Sequence, residues 1–221
     1  IIDLVISEDK NIDVLVVDDN SPDGTSSIVS QKEVIFKNRV FLIKRLDKKG
    51  LGTAYIEGFR WALKRKYDFI VSMDADFSHN PSELTKMIKY FSNGVDVVVG
   101  SRYLNGVSVV NWPIGRIFLS YIAQIYVRLI TGMPINDPTS GFVAYSKESV
   151  NALNLDKFRF IGYAFQIEMK YKIWKKKFKL KEHQIIFMNR ELGESKLDKK
   201  IILEAVFGVL KLRLDSVLKR L

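Results

Sequence analysis

Phe69-Ile70-Val71-Ser72-Met73-Asp74-Ala75-Asp76 is the stretch that decides the reading: an apolar run of strand length that ends in two carboxylates two residues apart. A DxD at the carboxyl end of a buried strand can hold a hard divalent cation, which in turn holds a diphosphate. That combination points to nucleotide-sugar chemistry. An isolated Asp-x-Asp is also a common solvated turn, so the neighbouring sequence has to choose between the two.

Outward from this stretch, strand-length apolar runs alternate with helical patterns, the signature of βα units around a mostly parallel sheet. Upstream lie a strand at Val14 to Val17, a helix opened by Asp23-Gly24-Thr25, a strand at Val40 to Ile43, and a helix after Gly50-Leu51-Gly52. Downstream, Asn80-Pro81-Ser82-Glu83 starts a helix with proline where its missing N–H costs nothing. A strand from Val95 to Val99 then ends at Gly100-Ser101-Arg102. A mostly uncharged loop, a long helix from Arg116, and a turn at Pro138 to Gly141 before Phe142 to Tyr145 follow. Beyond them come a helix from Tyr163 to Trp174 and a lysine-flanked strand from Phe178 to Phe187. Leu203, Val206, Phe207, Leu210, Leu214, Val217 and Leu221 line one face of a last helix. The expected organisation is one α/β domain over residues 1–196 and an amphipathic helix over 197–221. Packing on the domain, lying in a membrane interface, and leading into membrane helices are its three possible fates.

Composition narrows the chemistry. Hydrophobic residues make up 47% of 221, enough for a real core. The absence of cysteine removes disulfides, thiolate zinc sites and cysteine nucleophiles together. Two histidines leave little room for an imidazole metal cluster. A formal net charge of +10 implies an anionic partner: nucleic acid, an anionic membrane surface or a phosphorylated substrate. Excess lysine serving only solubility is the plainer alternative. Basic residues are not interleaved with aromatics on a strand platform, which argues against nucleic acid. No run reaches the roughly 18 consecutive apolar residues of a membrane span. The chain opens on Ile1 without a methionine and in mid-helix, so a preceding segment is expected.

In open α/β sheets functional groups collect beyond the carboxyl ends of strands. Four such ends carry chemistry here: Asp18-Asp19, Arg45 with Lys48 and Lys49, Asp74 with Asp76, and Arg102. Each has a local alternative. The Asp18 to Gly24 segment is rich in turn formers, Gly50 and Gly52 can serve close packing at a helix start, and Arg102 can pair with a nearby carboxylate.

The segments Val16 to Thr25, Gly50 to Tyr55, Met73 to Pro81, Gly100 to Tyr103, Asp137 to Phe142, Phe165 to Met169 and Arg190 to Lys196, taken in order, resemble glycosyltransferase family 2. More narrowly, they resemble its dolichyl-phosphate (polyprenyl-phosphate) mannosyltransferases. The resemblance implies a GT-A (Rossmann-like) fold in which Asp74 and Asp76 engage Mg2+ or Mn2+ and the donor diphosphate. It also implies Asp18 and Asp19 against the nucleoside, Arg190 and Lys196 beside the donor phosphates, and Arg102, Arg116 and Ser120 around the acceptor phosphate. Asp76, Arg102, Arg116 and Lys196 are the residues expected to matter most for transfer. Asp137 and Glu168 fall in motifs near the site. Ser78 stands where some relatives have a glutamine, and the family's opening strand is absent from the chain. The implied reaction is inverting transfer of mannose from GDP-mannose to dolichyl or polyprenyl phosphate at the cytoplasmic face of a membrane, with an anchoring subunit or membrane helices as further expected partners. A UDP-sugar donor, and a non-catalytic membrane-surface or nucleic-acid-binding module, are the alternatives. The lysines from Lys170 to Lys181, with Trp174 and Phe178 among them, suit an anionic headgroup surface or, equally, a protected sheet edge.

Overall fold

Apolar runs bounded by turn-forming residues become strands close to where their sequence places them. The computed structural model describes residues 1–189 and 199–218, with side chains described from 205 onward in the last segment. In chain order the elements are α1 (Ile2–Glu8), β1 (Val14–Asp18), α2 (Thr25–Ile35), β2 (Val40–Lys44), α3 (Leu51–Lys64) and β3 (Phe69–Ser72). Then come α4 (Glu83–Ile88), β4 (Val97–Ser101), β5 (Val109–Val110), α5 (Ile114–Thr131), β6 (Val143–Ser146) and α6 (Lys147–Asn151). The chain closes with α7 (Ala164–Lys175), β7 (Leu180–Gln184), β8 (Phe187–Met188) and α8 (Lys199–Val217). After α4 the helix tightens into a 3-10 turn, Lys89–Asn93.

The central sheet has the order β3-β6-β4-β7, and β1-β2 and β5-β8 form separate parallel pairs. β4 and β7 run parallel, whereas β6 runs antiparallel to both of its neighbours. The chain reaches β6 from the Asp137–Gly141 turn, which lies at the carboxyl end of β4: Gly100 donates to the Phe142 carbonyl at 2.8 Å. Starting from that end, β6 has only the reverse direction open to it. Val97, Val98 and Val99 of β4 are fully buried: Val97 and Val99 share a core with Phe59, Tyr145, Phe165 and Met169, and Val98 shares another with Leu84, Met87 and Phe142.

Gly50-Leu51-Gly52 does pack closely at a helix start. A Cβ on Gly52 would lie 2.7 Å from the Phe160 carbonyl oxygen and 2.9 Å from the Phe165 ring. Gly50 has a φ of 94°, so α3 can begin directly against the 160–161 segment only with glycines here.

The last helix meets a different environment from the commonest one for such a stripe. Its expected apolar face is turned outward: Phe207 is 67%, Leu214 58% and Val217 63% exposed. The helix instead packs on α5 and α7 through Gly208, Val209, Leu212 and Asp215. Gly208 permits this, since a Cβ there would fall 2.6 Å from the Phe160 ring, and Asp215 is tied to Arg159. Helix α5 is long and apolar enough, by length and composition, to cross a membrane. It nevertheless belongs to the domain: Gln124, Val127 and Thr131 are buried, and Gln124 donates to Thr139 Oγ1 at 2.8 Å. Its other face, with Phe118, Ile122, Ile125 and Leu129, is exposed.

The lysine-rich stretch is a different surface from the uniform one its composition suggests. Lys170 is fully buried, Lys172 is held by Glu168 at 2.7 Å, and Trp174 and Phe178 pack on the core. Lys175, Lys176, Lys177 and Lys179 remain outside.

Candidate active site

The carboxyl ends of β3 and β4 lie on the same edge of the central sheet, because both strands run antiparallel to β6. Beyond β3 the chain turns sharply. Asp76 Oδ1 accepts the Ser78 N–H at 3.1 Å, and Phe77 adopts a left-handed φ of 62°. A bulky residue in that region is unfavourable by itself, so the surroundings hold the turn in place. Behind it stands His79, which is buried and stacked on Phe142 with centroids 4.8 Å apart. Its Nδ1 accepts the Asp74 backbone N–H at 3.0 Å, leaving the proton of the neutral ring on Nε2. Burial pushes the His79 pKa down against the opposing pull of Asp74, so the ring keeps that acceptor role.

The two DxD carboxylates thus stand on a fixed turn with their oxygens little used. Asp74 is 46% exposed in its side chain, and its carboxylate accepts no hydrogen bond among the described residues. Hard carboxylate oxygens that meet few protein donors suit Mg2+ or Mn2+. Among the described residues no three His, Cys, Asp or Glu side chains are placed to hold a metal ion together. A cation here would therefore draw its remaining ligands from diphosphate and water, as such ions commonly do. Space beside Asp74 is kept by Gly141, where a Cβ would lie 3.6 Å from Asp74 Oδ1 and 3.7 Å from the Tyr55 hydroxyl.

Beyond β4, Arg102 is gripped by Asp137. Its Nε and Nη2 donate to the two carboxylate oxygens at 2.7 and 2.8 Å, and its backbone N–H donates at 3.0 Å. Asp137 is buried, and its own N–H is capped by Glu182 at 2.9 Å. Arg102 therefore does pair with a carboxylate. The pair holds the guanidinium in one orientation, 12% exposed, with its ring-facing side toward Tyr103, Trp112 and Phe187. Arg116, in the first turn of α5, lies 3.9 Å over the Trp112 ring and donates to Asn189 Oδ1 at 3.1 Å. Ser120 accepts from the Tyr103 hydroxyl at 2.7 Å. Arg102, Arg116 and Ser120 are thus linked through Tyr103 and Trp112, on the same rim as Asp74 and Asp76.

The nucleoside-side residues form a separate cluster. Asp18 is 4% exposed and spends its Oδ2 on the Ser21 N–H and the Ser26 hydroxyl. Burial raises its pKa, but those hydrogen bonds outweigh burial and hold the carboxyl below the usual range. Asp19 is paired with Arg45, which also donates to Thr53 Oγ1 at 2.7 Å. The start of α3 connects the clusters, with Thr53 on the Arg45 side and Tyr55 on the Asp74 side. Arg190 and Lys196 lie outside the described residues. Glu168 proves to be a loop anchor: it accepts the backbone N–H groups of Arg159 and Phe160 at 3.0 and 3.1 Å.

His79, Glu182, Trp112 and Phe187 were not singled out for this site from the sequence. The first could have been, since a histidine five residues after Asp74 can reach back to that residue's N–H. The others come from chain segments far apart and carry no local signal.

A model of family 2 glycosyl transferases matches residues 1–153. A polyprenol monophosphomannose synthase of Mycolicibacterium smegmatis is 41% identical over 198 residues, covering 90% of this chain and 75% of that protein. An undecaprenyl-phosphate mannosyltransferase of Micrococcus luteus is 41% identical, covering 89% and 80%. A dolichol-phosphate mannosyltransferase of Pyrococcus furiosus is 39% identical, covering 91% and 55%. Among solved structures, glucosyl-3-phosphoglycerate synthase from Mycobacterium tuberculosis in complex with UDP superposes with a TM-score of 0.66 at 16% identity, covering 96% of this chain and 75% of that one. The same enzyme with Mn2+, UDP-glucose and phosphoglyceric acid gives 0.65 at 16% identity, covering 96% and 74%. At that identity the likeness speaks for the GT-A fold alone. With its DxD turn at the end of β3, its fold, and a family match over more than half its length, the chain belongs to glycosyltransferase family 2.

Proposed function

We propose that this chain transfers mannose from GDP-mannose to a polyprenyl or dolichyl phosphate, with inversion at the anomeric carbon. The observation that carries the reading is the juxtaposition on one rim of two little-used carboxylates, Asp74 and Asp76, with two aromatic-backed arginines, Arg102 and Arg116. The relatives named for mannose transfer to polyprenyl carriers support the acceptor class and the sugar.

Asp74 and Asp76 would hold Mg2+ or Mn2+, which when bound supplies positive charge against the departing diphosphate. The nucleoside is proposed over the Asp18–Asp19 turn, and Arg190 and Lys196 beside the donor phosphates. Arg116 and the outer edge of Arg102 receive the acceptor phosphate, with Ser120 at its flank. A phosphate monoester is already ionised near neutral pH, so its oxygen attacks the anomeric carbon without a general base. The C–O bond to the nucleoside diphosphate breaks as the new one forms. Single displacement turns an α-linked donor into a β-linked product.

A lipid acceptor requires a membrane surface beside the arginines, and the exposed faces of α5 and α8 meet that need. Arg116 lies in the first turn of α5, whose sequence contains no Asp or Glu and whose outer face presents Phe118, Ile122, Ile125 and Leu129. α8 packs beside it and adds Phe207, Leu210, Leu214 and Val217, with Lys211 and Arg213 at the edge. Asp215, the acid among the described side chains of α8, is turned inward to Arg159. An apolar face rimmed by cations fits the cytoplasmic leaflet.

Radiolabelled GDP-mannose, incubated with polyprenyl phosphate and Mn2+, should give an organic-extractable β-mannosyl phosphate, and chelation should stop it. Transfer from UDP-glucose but not from GDP-mannose would replace this donor assignment with the UDP-sugar one.

A further inference from the structure

We propose that Trp112 is a positioning residue for the acceptor phosphate, its indole ring holding Arg102 and Arg116 together as one anion-binding pair. The inference rests on the acceptor role given to those arginines above. Two guanidinium groups side by side repel each other before any anion arrives. Here both lie against the same ring, Arg116 with its central carbon 3.9 Å and Arg102 5.7 Å from the Trp112 centroid. The negative face of an indole attracts such cations more strongly than any other side-chain ring does.

Each arginine is also held from a second side: Asp137 grips Arg102 through two charged hydrogen bonds, and Arg116 donates to Asn189 Oδ1 at 3.1 Å. Trp112 is the ring that both cations share, with Arg116 the nearer of the two, and it sets the distance between them.

The ring itself is fixed from behind and from below. Phe187 meets it edge-on with centroids 5.4 Å apart at 74°, and the same Phe187 ring lies 5.5 Å from the Arg102 guanidinium carbon. Asn111 before it adopts a left-handed φ of 60°, and Pro113 after it precedes α5. Asn189 locks this turn, its amide donating to the Asn111 carbonyl at 3.2 Å and its backbone N–H to Val110 at 3.1 Å. The Trp112 indole N–H is buried and has no hydrogen-bond partner among the described residues. A donor left in that state is costly. The ring is thus placed for its face, at the expense of its N–H.

The test is titration of farnesyl phosphate, and separately of GDP with Mn2+, against the whole chain and its variants. Trp112→Leu should weaken farnesyl phosphate binding about tenfold, the size of one good cation–π contact, and leave the GDP dissociation constant within about twofold. Trp112→Phe, which keeps a ring face without the N–H, should stay within about threefold of the parent chain. Fluorination of the Trp112 ring preserves shape and drains its negative face. Farnesyl phosphate binding should then weaken with each added fluorine while GDP binding and Tm hold steady, and this readout remains if Trp112→Leu fails to fold. The proposal is overturned if fluorination has no effect, if Trp112→Phe loses as much as Trp112→Leu, or if GDP binding falls in parallel. Arg116→Ala separates the two levels: if it leaves farnesyl phosphate binding unchanged, the acceptor-pocket reading itself fails. If it weakens binding while the Trp112 variants do not, only the role of the ring is lost.

Discussion

Arg102 and Asp137, 35 positions apart in the chain, meet in a two-pronged ion pair, Nε to Oδ2 at 2.7 Å and Nη2 to Oδ1 at 2.8 Å, with the carboxylate wholly buried. Burial alone would raise the Asp137 pKa, but the Arg102 charge and its hydrogen bonds outweigh that and hold the carboxyl below the usual range. Removing one partner of such a pair strands the other, at a cost of about 3–5 kcal/mol. Asp137→Asn should therefore lower the urea midpoint clearly. A depressed folded-state pKa gives stability that is present at neutral pH and lost as pH falls through that lowered value. The gap between variant and parent should accordingly shrink in strong acid. An unchanged midpoint at pH 7 would show that the pair contributes nothing.

Lys170 gives the opposite pH signature. Its ammonium is buried against the Ser140 carbonyl at 2.7 Å, and desolvation, only partly opposed by Asp137, takes its pKa from 10.5 down to about 7. Between those values the unfolded chain binds a proton that the folded chain lacks, so stability contributed here rises with pH across that window. Denaturation midpoints at pH 7.5 and 9.5 should show a gain for the parent chain relative to Lys170→Met. Parallel pH profiles would mean that Lys170 stays charged in the fold.

At the start of α3, Gly52→Ala should destabilise by about 1–3 kcal/mol, the usual cost of overpacking. The new Cβ would meet a backbone carbonyl, that of Phe160 at 2.7 Å, rather than a yielding side-chain tip. Thermal unfolding reads this directly, and a Tm equal to the parent's would show that the 160–161 segment is free to shift.

On the outer faces of α5 and α8, Phe118 is 66% and Phe207 67% exposed, so changing them costs the fold little. Phe118→Glu with Phe207→Glu should abolish flotation with vesicles containing anionic lipid while leaving Tm within a few degrees. Flotation equal to the parent's would move the membrane contact elsewhere, with the exposed lysines from Lys175 to Lys179 as the next surface to test.

Local signals were enough for β1, β2 and the DxD strand, where an apolar run stops at turn-forming residues. The strand direction of β6 was not legible, because it follows from where the Asp137–Gly141 turn sits relative to β4. Periodicity showed that Phe207, Leu210, Leu214 and Val217 share a face. It did not say which medium that face meets, and Gly208 with Asp215 turned the helix the other way. The candidate site divides similarly: Asp74, Asp76 and Arg102 announce themselves at strand ends. Asp18 sits in a run of turn formers that has a local reading as well as a ligand one, and its bonds to Ser21 and Ser26 show how that turn is built. Trp112 and Phe187 act through partners brought together only by the fold.

Crystals of the chain soaked with GDP and Mn2+, with data collected at the manganese absorption edge, test the division of labour most directly. An anomalous peak within coordination distance of both Asp74 and Asp76, bridged to the diphosphate and opposite Arg102 and Arg116, is the expected result. Manganese and diphosphate bound away from the two aspartates, or aspartates turned from the nucleotide, would contradict it.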